Sequence, residues 1–449
     1  MKKYFYLIVI LAICGGAFYF SNLDKFEQNP PNADINSTIY TNLKDPIKIK
    51  ISDDMALKKV RINLISGDKK QTLLSKFFED NQSEAELELV FPKNIFLPQK
   101  EYLLKVEITD ASYSNFFTGN KKIIDTKLIT DTQNPEINVI NQSYKIVKGG
   151  SGAVVFSVRD NVGLEEVYIQ TNFGKKFIAT PFYKDGYYAS LVAWPAKEKN
   201  FSATVVAVDK AGNTSKSRIK YFLFDRKYKV SKIALTKSFL SGKIADLAEM
   251  YAKDFEKMSS LNKFKFVNET LRISNDEKIG EITSKVHEES IKSFYLNPFY
   301  PLKNSAAVGS FGDHRSYTFL GDKVSQSYHM GLDLASVAGA DIVASNPAVV
   351  AFRDDNGIYG LNVLLYHGFG LYSLYGHCTS SNVNVGDTLK PESVVATTGT
   401  SGLALGDHLH FGILIQGIEV RPEEWMDKLW MKTNIFDVLN LSKQAIDKR

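Results

Sequence analysis

The stretch GDHLHFGI, Gly406–Ile413, places His408 and His410 on either side of Leu409. The whole chain of 449 residues contains only seven histidines, so two of them on alternate positions require a reason. The apolar residues that follow predict a β-strand, and alternate residues of a strand lie on the same face of a sheet. The stretch therefore predicts two imidazoles side by side on one sheet face.

Two earlier phrases add the residue types that bind a metal. HMGLD contains His329 and Asp333, and LYGH ends at His377. A catalytic zinc takes three protein ligands, which are imidazole nitrogens or carboxylate oxygens, and keeps a fourth position open. A bend at Gly331 would turn His329 and Asp333 onto one ion. His410 would then supply the third ligand from its strand.

The remaining two histidines fit the other needs of an amide hydrolase. A bound zinc lowers the pKa of water to about 7 and so provides a nucleophile. The reaction also needs a base for the water proton and a donor for the oxyanion, and His377 and His408 are the candidates. The chain has no HExxH motif, which excludes the helical zinc-protease arrangement, and no GxSxG motif.

Taken together, HMGLD, LYGH and GDHLHFGI resemble the lysostaphin/LytM-type zinc metallopeptidases. This is a family of peptidoglycan-cleaving Gly-Gly and D,D-endopeptidases, and the resemblance extends from about Val308 to Asp427. It implies a compact antiparallel β domain with an open groove, one Zn²⁺ ion and peptidoglycan as the substrate.

The resemblance assigns the same roles as the residue chemistry. It implies that His329, Asp333 and His410 are the zinc ligands, and that His377 and His408 are the catalytic pair.

Two more residues are predicted to lie in the substrate groove. Arg315 matches an arginine that many relatives carry after Phe-Gly, and a structural ion pair is the alternative for it. Tyr359 opens YGLN, Tyr359–Asn362, where many relatives have Gly-Asn. This departure at YGLN puts the substrate preference in doubt. A D,D-endopeptidase is expected, with pentaglycine cleavage and a D,D-carboxypeptidase as variants.

The segments before this domain have the period-two alternation of half-buried antiparallel sheets, as in IKIKI, AELELVF and SATVVAV. They form a repeat, because ISDDMALKKVRI (Ile51–Ile62) aligns with VRDNVGLEEVYI (Val158–Ile169), and VEITDAS (Val106–Ser112) resembles VVAVDKAGN (Val205–Asn213). A spacing of about a hundred residues is that of one immunoglobulin-like sandwich. Two such sandwiches are predicted, and one larger irregular β domain is the alternative.

The period changes between Tyr228 and Phe294. SGKIADLAEMYAKDFEKM predicts a helix with its apolar face formed by Ile244, Leu247, Met250, Tyr251 and Phe255. Ser274 followed by Glu277 is a capping-box signature and predicts the start of another helix. This helical connector is predicted either to cover a neighbouring domain or to lie over the active site.

The N-terminus predicts export. Lys2 and Lys3 precede an uncharged run from Tyr4 to Phe20, which is near the lower limit of about 17–25 residues for a membrane helix. Lysines before the run stay in the cytoplasm, so the rest of the chain is expected outside the cytoplasmic membrane, on the periplasmic side of the cell envelope. An uncleaved anchor is favoured over cleavage after Ala17 and over lipidation at Cys14.

The expected fold is therefore mainly β, with seven parts. These are a signal anchor (residues 1–23), a linker (24–36), two immunoglobulin-like β sandwiches (37–132 and 133–226), a helical connector (227–296), the C-terminal antiparallel β metallopeptidase domain (297–435) and a C-terminal tail (436–449).

Composition limits the expected partners. The net charge of +5 is small for this length, and no lysine or arginine run is present, so no nucleic-acid partner is expected. The expected partners are peptidoglycan, the membrane through the N-terminal segment, and cell-wall regulatory proteins. Two other functions compete with the peptidase: a catalytically inactive activator of another wall hydrolase, and an exported adhesion or scaffold protein.

Overall fold

The computed structural model describes residues 2–21, 24–79, 81–92, 95 and 97–448. Strands make up 44% of the fold and helices 20%, so the prediction of a mainly β protein is confirmed. The chain divides into two compact units. One consists of Met1–Pro135, Asp160–Glu166 and Val208–Ser215, and the other consists of Glu136–Arg159, Val167–Ala207 and Lys216–Arg449.

The first unit begins with helix α1 (Lys2–Ser21). No helix within the described ranges combines the length and apolarity needed to cross a membrane. The predicted membrane helix is therefore without support from the fold. Residues 22 and 23, where the predicted anchor ends, lie outside the described part of the chain.

Two sheets enclose the core of the first unit. The three-stranded sheet has the order β1-β3-β6 and the five-stranded sheet the order β2-β8-β7-β4-β5. Alternate residues of β7 are buried, as the period-two pattern predicts, and Leu104, Val106 and Ile108 are fully enclosed. The elements are β1 (Asn32–Asp34), β2 (Thr38–Thr41), β3 (Ile47–Ser52), β4 (Leu57–Ser66), β5 (Lys69–Phe77), β6 (Glu84–Leu89), β7 (Glu101–Asp110), the short helix α2 (Ser114–Phe117) and β8 (Lys121–Thr130).

Part of the predicted linker is a strand. β1 pairs with β3, and Ala33 packs against the core of the unit. A short 3₁₀ turn at Asp24–Phe26 precedes it. The polar NPPN sequence concealed this edge strand because only one of its side chains packs inward.

The next stretch forms two four-stranded sheets with the orders β14-β15-β11-β9 and β13-β12-β16-β17, and a parallel pair, β10-β18. The immunoglobulin-like type of the two modules remains a prediction. The strands are β9 (Glu136–Gln142), β10 (Lys145–Val147), β11 (Ser151–Arg159), β12 (Leu164–Thr171), β13 (Lys176–Ile178), β14 (Thr180–Pro181), β15 (Tyr187–Ala193), β16 (Ala203–Asp209), β17 (Thr214–Arg218) and β18 (Phe222–Phe224).

The predicted connector contains one strand and several helical segments. These are β19 (Val230–Ala234), α3 (Lys237–Ser241), α4 (Lys243–Tyr251), a 3₁₀ turn (Phe255–Lys257), α5 (Ser260–Lys265), a π-helical segment (Phe266–Leu271) and α6 (Arg272–Thr283). Ile244 and Leu247 are buried as predicted, whereas Met250 and Tyr251, at the end of α4, are 66% and 38% exposed. The predicted capping box is wrong. Ser274 lies inside α6, which continues the π-helical segment without a new N-terminus.

The remaining strands form the domain that contains the histidines. Its central sheet is antiparallel throughout, as predicted, with the order β20-β23-β31-β27-β26-β25-β29, and β32 pairs with β31. The strands are β20 (Ala306–Gly309), β21 (Asp313–Phe319), β22 (Asp322–His329), β23 (Leu332–Ala335), β24 (Asp341–Val343), β25 (Ala348–Asp355), β26 (Leu361–Tyr366), β27 (Leu371–Cys378), β28 (Ser380–Ser381), β29 (Thr388–Leu389), β30 (Val394–Thr397), β31 (Leu409–Ile415) and β32 (Ile418–Val420).

Two three-stranded sheets flank the central one, with the orders β19-β21-β22 and β24-β30-β28. A 3₁₀ turn at Gly357–Tyr359 precedes β26. The chain ends in helices α7 (Pro422–Trp425), α8 (Lys428–Met431) and α9 (Asp437–Asp447), with a π-helical segment at Lys432–Phe436. The residues predicted as a tail are therefore largely helix α9, which buries Val438, Leu439 and Ile446.

The connector shares a hydrophobic core with the central sheet. Leu240, Ile244 and Phe264 of the connector lie in one buried cluster with Leu364 and Tyr372. The prediction that the connector covers a neighbouring domain is therefore confirmed. A chain that begins near Asn297 would expose this core to water.

Glu424 gives the second unit a pH-dependent stability. It is buried, its carboxylate accepts a hydrogen bond from the Ser151 N–H at 3.0 Å, and burial raises its pKa from 4.5 to about 7. Between these two values the folded state holds a proton that the unfolded state has lost, so the free energy of unfolding falls as the pH rises. The loss is about 3 kcal/mol when complete.

We expect Glu424→Gln to flatten this dependence, because a glutamine oxygen still accepts from Ser151 and carries no charge. The variant should match the wild type near pH 4 and exceed its stability near pH 8, measured by denaturant unfolding across the range. Glu249→Gln, on the exposed side of α4, is the control and should keep the wild-type slope. The prediction would be contradicted if the wild type became more stable between about pH 5 and 7 and Glu424→Gln did not.

Candidate metal centre

A tight turn joins the first two candidate ligands. His329 is the last residue of β22, Asp333 lies in β23, and Gly331 stands between them. A side chain on Gly331 would place its Cβ 2.5 Å from the His410 ring, so only glycine lets this turn approach the third ligand. The sequence prediction of a bend at Gly331 is confirmed.

Strand pairing aligns the other residues with this turn. Asp333 lies directly opposite His410 on β31, and His410 lies opposite Gly376 on β27. His377 follows Gly376, and His408 precedes β31 by one residue. The antiparallel register therefore gathers all five predicted residues at one end of three neighbouring strands.

Each predicted ligand places one nitrogen or oxygen atom within 3.1 Å of the corresponding atoms of the other two. His329 Nε2 lies 2.9 Å from Asp333 Oδ1 and 3.1 Å from His410 Nδ1, and His410 Nδ1 lies 3.0 Å from Asp333 Oδ1. Ligand atoms on a tetrahedral zinc with bonds of about 2.0–2.2 Å lie about 3.3–3.6 Å apart. The three atoms therefore need to move by only a few tenths of an ångström to share one ion.

The surrounding carbonyl groups orient most of the rings. Where a ring Nδ1–H donates to a backbone carbonyl, the lone pair of Nε2 is left for a metal or a proton. Three histidines have this arrangement: His329 with Ser310 at 2.9 Å, His377 with Ser401 at 2.9 Å, and His408 with Gly406 at 2.7 Å.

Electron-pair donors thus face one another at the centre of the site. With Nδ1–H of His329 donated to Ser310, its Nε2 has no proton to give to Asp333 or to His410. Three such donors in van der Waals contact are stabilised by a cation between them, and two imidazoles with one carboxylate are a donor set that zinc prefers. The residues present fit a zinc ion.

Burial and mutual contact set the protonation of the site. Burial lowers the pKa of His410 to about 4 and that of His377 to about 3, so both rings are neutral at pH 7 and able to donate a lone pair. Burial alone would raise the pKa of Asp333. The three imidazoles of His329, His408 and His410 around its Oδ1 outweigh this and hold the pKa of Asp333 well below its usual range.

The two predicted catalytic histidines lie beside the ligands. The rings of His377 and His408 are 4.9 Å apart, and His408 Nε2 lies 3.6 Å from Asp333 Oδ1. His377 has a φ of +64°, a conformation that costs a non-glycine residue about 1–3 kcal/mol. The surrounding strands hold His377 in this backbone conformation, which directs its ring toward the site.

The two predicted groove residues have different surroundings. Both line a cavity of about 630 Å³ that contains the five site residues. Arg315 lies 3.8 Å from Asp333 Oδ2 and 3.5 Å from Asp313 Oδ2, so it forms the structural ion pair that was the alternative prediction. It also lines the cavity, as the groove prediction required. Tyr359 is buried against His410, and its hydroxyl donates at 2.8 Å to Asp276, another residue of the cavity wall.

The sequence predicted a connector over the active site as one of two alternatives, but it did not identify the connector residues that line this cavity. Thr236, Phe239, Arg272 and Asp276 line its wall together with the histidines. Asp276 accepts a hydrogen bond from the Tyr359 hydroxyl at 2.8 Å, and burial raises the pKa of its carboxyl group. An acid and a base four residues apart on one helix were the only signal, and such pairs usually lie on a solvated face.

Comparison with known proteins supports the resemblance drawn from the sequence. Residues 327–422 match the model of peptidase family M23. The DD-carboxypeptidase/endopeptidase Mpg of Neisseria meningitidis is 33% identical over 94 residues, which cover 21% of this chain and 22% of Mpg. The murein hydrolase activator EnvC of Escherichia coli is 33% identical over 98 residues, covering 22% of this chain and 23% of EnvC.

One relative matches over a longer range. The peptidoglycan DD-endopeptidase ShyC of Vibrio cholerae is 22% identical over 374 residues, which cover 73% of this chain and 84% of ShyC. The stronger identities cover only about a fifth of this chain, which in turn spans about a fifth of the length of Mpg and of EnvC.

Proposed function

We propose that this chain, whose C-terminal end carries a peptidase family M23 domain, is a zinc-dependent hydrolase that cleaves peptide cross-links of peptidoglycan. The bond is proposed to be a D,D cross-link, so the enzyme acts as a D,D-endopeptidase. The observation that carries the proposal is the convergence of His329 Nε2, Asp333 Oδ1 and His410 Nδ1 within 3.1 Å of one another.

His329, Asp333 and His410 would hold the zinc. When bound, the ion supplies Lewis-acid chemistry, because it acidifies water and polarises the oxygen of the scissile amide. Arg315 lies 3.8 Å from Oδ2 of Asp333, an ion pair that would favour the ionised carboxylate and leave Oδ1 as the atom presented to the metal.

His377 and His408 would manage the protons and the developing charge. Each donates Nδ1–H to a carbonyl, so each presents Nε2 to the cavity. A neutral Nε2 accepts the proton of an attacking water, and a protonated Nε2 donates to an oxyanion. Burial lowers the pKa of His377 and so keeps its ring neutral and free to accept a proton. Burial also opposes the charging of His408, but the nearby Asp333 carboxylate outweighs it and raises the pKa of His408, which suits a donor.

The substrate class rests on the relatives and on the groove. Mpg and ShyC are both named for DD-peptidase activity, and this favours a D,D bond over pentaglycine. The cavity combines charged side chains such as Arg315 with an exposed apolar rim that includes Val308 and Leu405. Such a lining suits a peptide that carries both carboxylates and alanine methyl groups.

The location is also part of the proposal. Lys2 and Lys3 before the uncharged N-terminal run support a position outside the cytoplasmic membrane, on the periplasmic side. Cell-wall regulatory proteins remain proposed partners.

The test is digestion of purified cross-linked muropeptide dimers by the purified full chain, with products separated by chromatography. Monomers should appear with zinc present, and their formation should stop on chelation and return when zinc is restored. A chain that binds zinc and leaves dimers intact, yet accelerates a second wall hydrolase, would support the inactive-activator function for which EnvC is named. Cleavage that survives chelation would contradict the metal-dependent mechanism.

A further inference from the structure

Six carboxylates far along the chain from the histidines form two further clusters. One contains Glu27, Asp53 and Asp110, and the other contains Asp131, Asp160 and Asp209. In each cluster the offered oxygens lie within 4.8 Å of one another. All six residues belong to the first compact unit. We call them the first and second triads.

The two triads occupy equivalent positions of the sequence repeat. Asp53 in ISDDMALKKVRI aligns with Asp160 in VRDNVGLEEVYI, and Asp110 in VEITDAS aligns with Asp209 in VVAVDKAGN. The third acid stands shortly before an Asn-Pro pair in both cases, Asn29-Pro30 and Asn134-Pro135. A set of three carboxylates at corresponding positions therefore occurs twice.

The local structure of the aligned acids is also the same. Oδ1 of Asp53 accepts the backbone N–H groups two and three positions further on, at 3.0 and 2.9 Å, and Oδ1 of Asp160 does so at 2.8 and 2.9 Å. Oδ1 of Asp110 accepts the N–H of Asn120 at 2.7 Å, and Oδ1 of Asp209 accepts the N–H of Asn213 at 2.8 Å. One oxygen of each carboxylate is thus fixed by the backbone.

The two asparagines position the third acid. The side-chain amide of Asn120 donates to the carbonyl oxygen of Glu27 at 3.0 Å, and that of Asn213 donates to the carbonyl oxygen of Asp131 at 3.0 Å. Each triad is therefore held together by the same set of contacts.

The second oxygen of most of these acids has no partner. Asp110 is fully buried and Asp131 is 4% exposed, yet Oδ2 of each makes no hydrogen bond within the described part of the chain. Oδ2 of Asp53 and Oδ2 of Asp160 share this property. Buried carboxylate oxygens are normally hydrogen-bonded, paired or bound to a metal, because an unpaired buried charge is costly. Burial raises the pKa of Glu27 and of Asp53, and the negative charge of Asp110 raises both further.

We propose that each triad binds one calcium ion, so that the chain carries two calcium sites in addition to the zinc site. Calcium takes six to eight oxygen ligands at about 2.3–2.6 Å, mostly from carboxylates, carbonyls and water. Oxygens on such an ion lie at most about 5 Å apart, which agrees with the spacing in both triads. Zinc prefers nitrogen and sulfur ligands, which neither triad offers.

The test measures calcium binding to the purified full chain after metal removal on a chelating resin, by isothermal titration in potassium chloride. The wild type should bind two calcium ions, with dissociation constants of about 10⁻⁴–10⁻³ M, as in extracellular calcium modules. Asp110→Asn and Asp209→Asn should each bind one ion, and the double variant none. At position 110 asparagine keeps the oxygen that accepts the backbone N–H groups. At position 209 it also replaces the oxygen that accepts from the Asn213 side-chain amide, so Asp160→Asn is the less disruptive test of the second triad.

Asp68→Asn, an exposed acid of the same unit, is the matched control and should still bind two ions. Asp53→Asn and Asp160→Asn are a second pair that removes the same sites from different loops. Calcium should also raise the unfolding temperature of the wild type, and this measurement tests binding without any substitution.

Three results would overturn the proposal: no binding by the wild type at about 10 mM calcium, two ions in the double variant, or equal affinity for magnesium. Binding is read without peptidoglycan, so failure here leaves the peptidase proposal untouched.

Discussion

His410→Ala is expected to lose zinc and cross-link cleavage together. His410 Nδ1 lies 3.1 Å from His329 Nε2 and 3.0 Å from Asp333 Oδ1, so its removal leaves two ligands where a catalytic zinc needs three. A metal ion contributes several kcal/mol to the reaction, so the rate of dimer cleavage should fall by at least about 10³-fold. Zinc content by elemental analysis should fall from about one ion per chain to near zero.

His367→Ala is the matched control for this variant. The His367 ring is as buried as that of His410, and its nitrogens contact Pro347 and Ser373 instead of the site. Its loss should lower the unfolding midpoint and leave the zinc content unchanged. If His410→Ala keeps its zinc, or if His367→Ala loses zinc while still folded, the ligand assignment is wrong.

The cluster of candidate ligands could be predicted from the sequence because it depends on short-range geometry. His408 and His410 share a face because they are two residues apart in an extended segment. His329 and Asp333 meet because a single glycine turn separates them. Within each short motif the local backbone conformation alone sets the direction of the side chains. The order of the strands, which brings the motifs together, is visible only in the fold.

The individual contacts in the wall of the groove could not be predicted, because they join segments that are distant in the chain. Tyr359 lines the cavity as expected, but nothing in the sequence indicated that its hydroxyl donates to Asp276, which lies 83 positions earlier in the chain. The end of one helical segment and the start of the next were also misjudged, since Ser274 has the local pattern of a cap while tertiary packing continues the helix through it. Local propensity is a weak guide where packing decides.

The aspartates of the β modules show a third case. Asp53 and Asp160 were found as parts of a sequence repeat, and their turn-forming role is visible in the pattern. That both also point a free oxygen at two other acids depends on loops that are distant in sequence. The sequence repeat shows that both aspartates occupy corresponding positions, and only the fold shows which residues they contact.

His408→Ala separates catalysis from metal binding. Its Nε2 lies 3.6 Å from Asp333 Oδ1, close to the three ligand atoms without being one of them. The variant should therefore keep about one zinc per chain, while the rate of dimer cleavage falls by about 10²–10⁴-fold, the range for loss of a positioned acid or base. The fall should appear in kcat more than in KM, because the group acts on the charge of the transition state.

His287→Ala is the control, since His287 is an exposed histidine outside the cavity, and it should keep both zinc and wild-type activity. If His408→Ala loses zinc, His408 is a ligand, and the site has four protein ligands and no open position for water. If His408→Ala keeps its zinc and cleaves dimers at the wild-type rate, the ring has no part in the chemistry. His377 would then have to serve as both acceptor and donor, and His377→Ala would be the only histidine variant outside the ligand set to abolish cleavage.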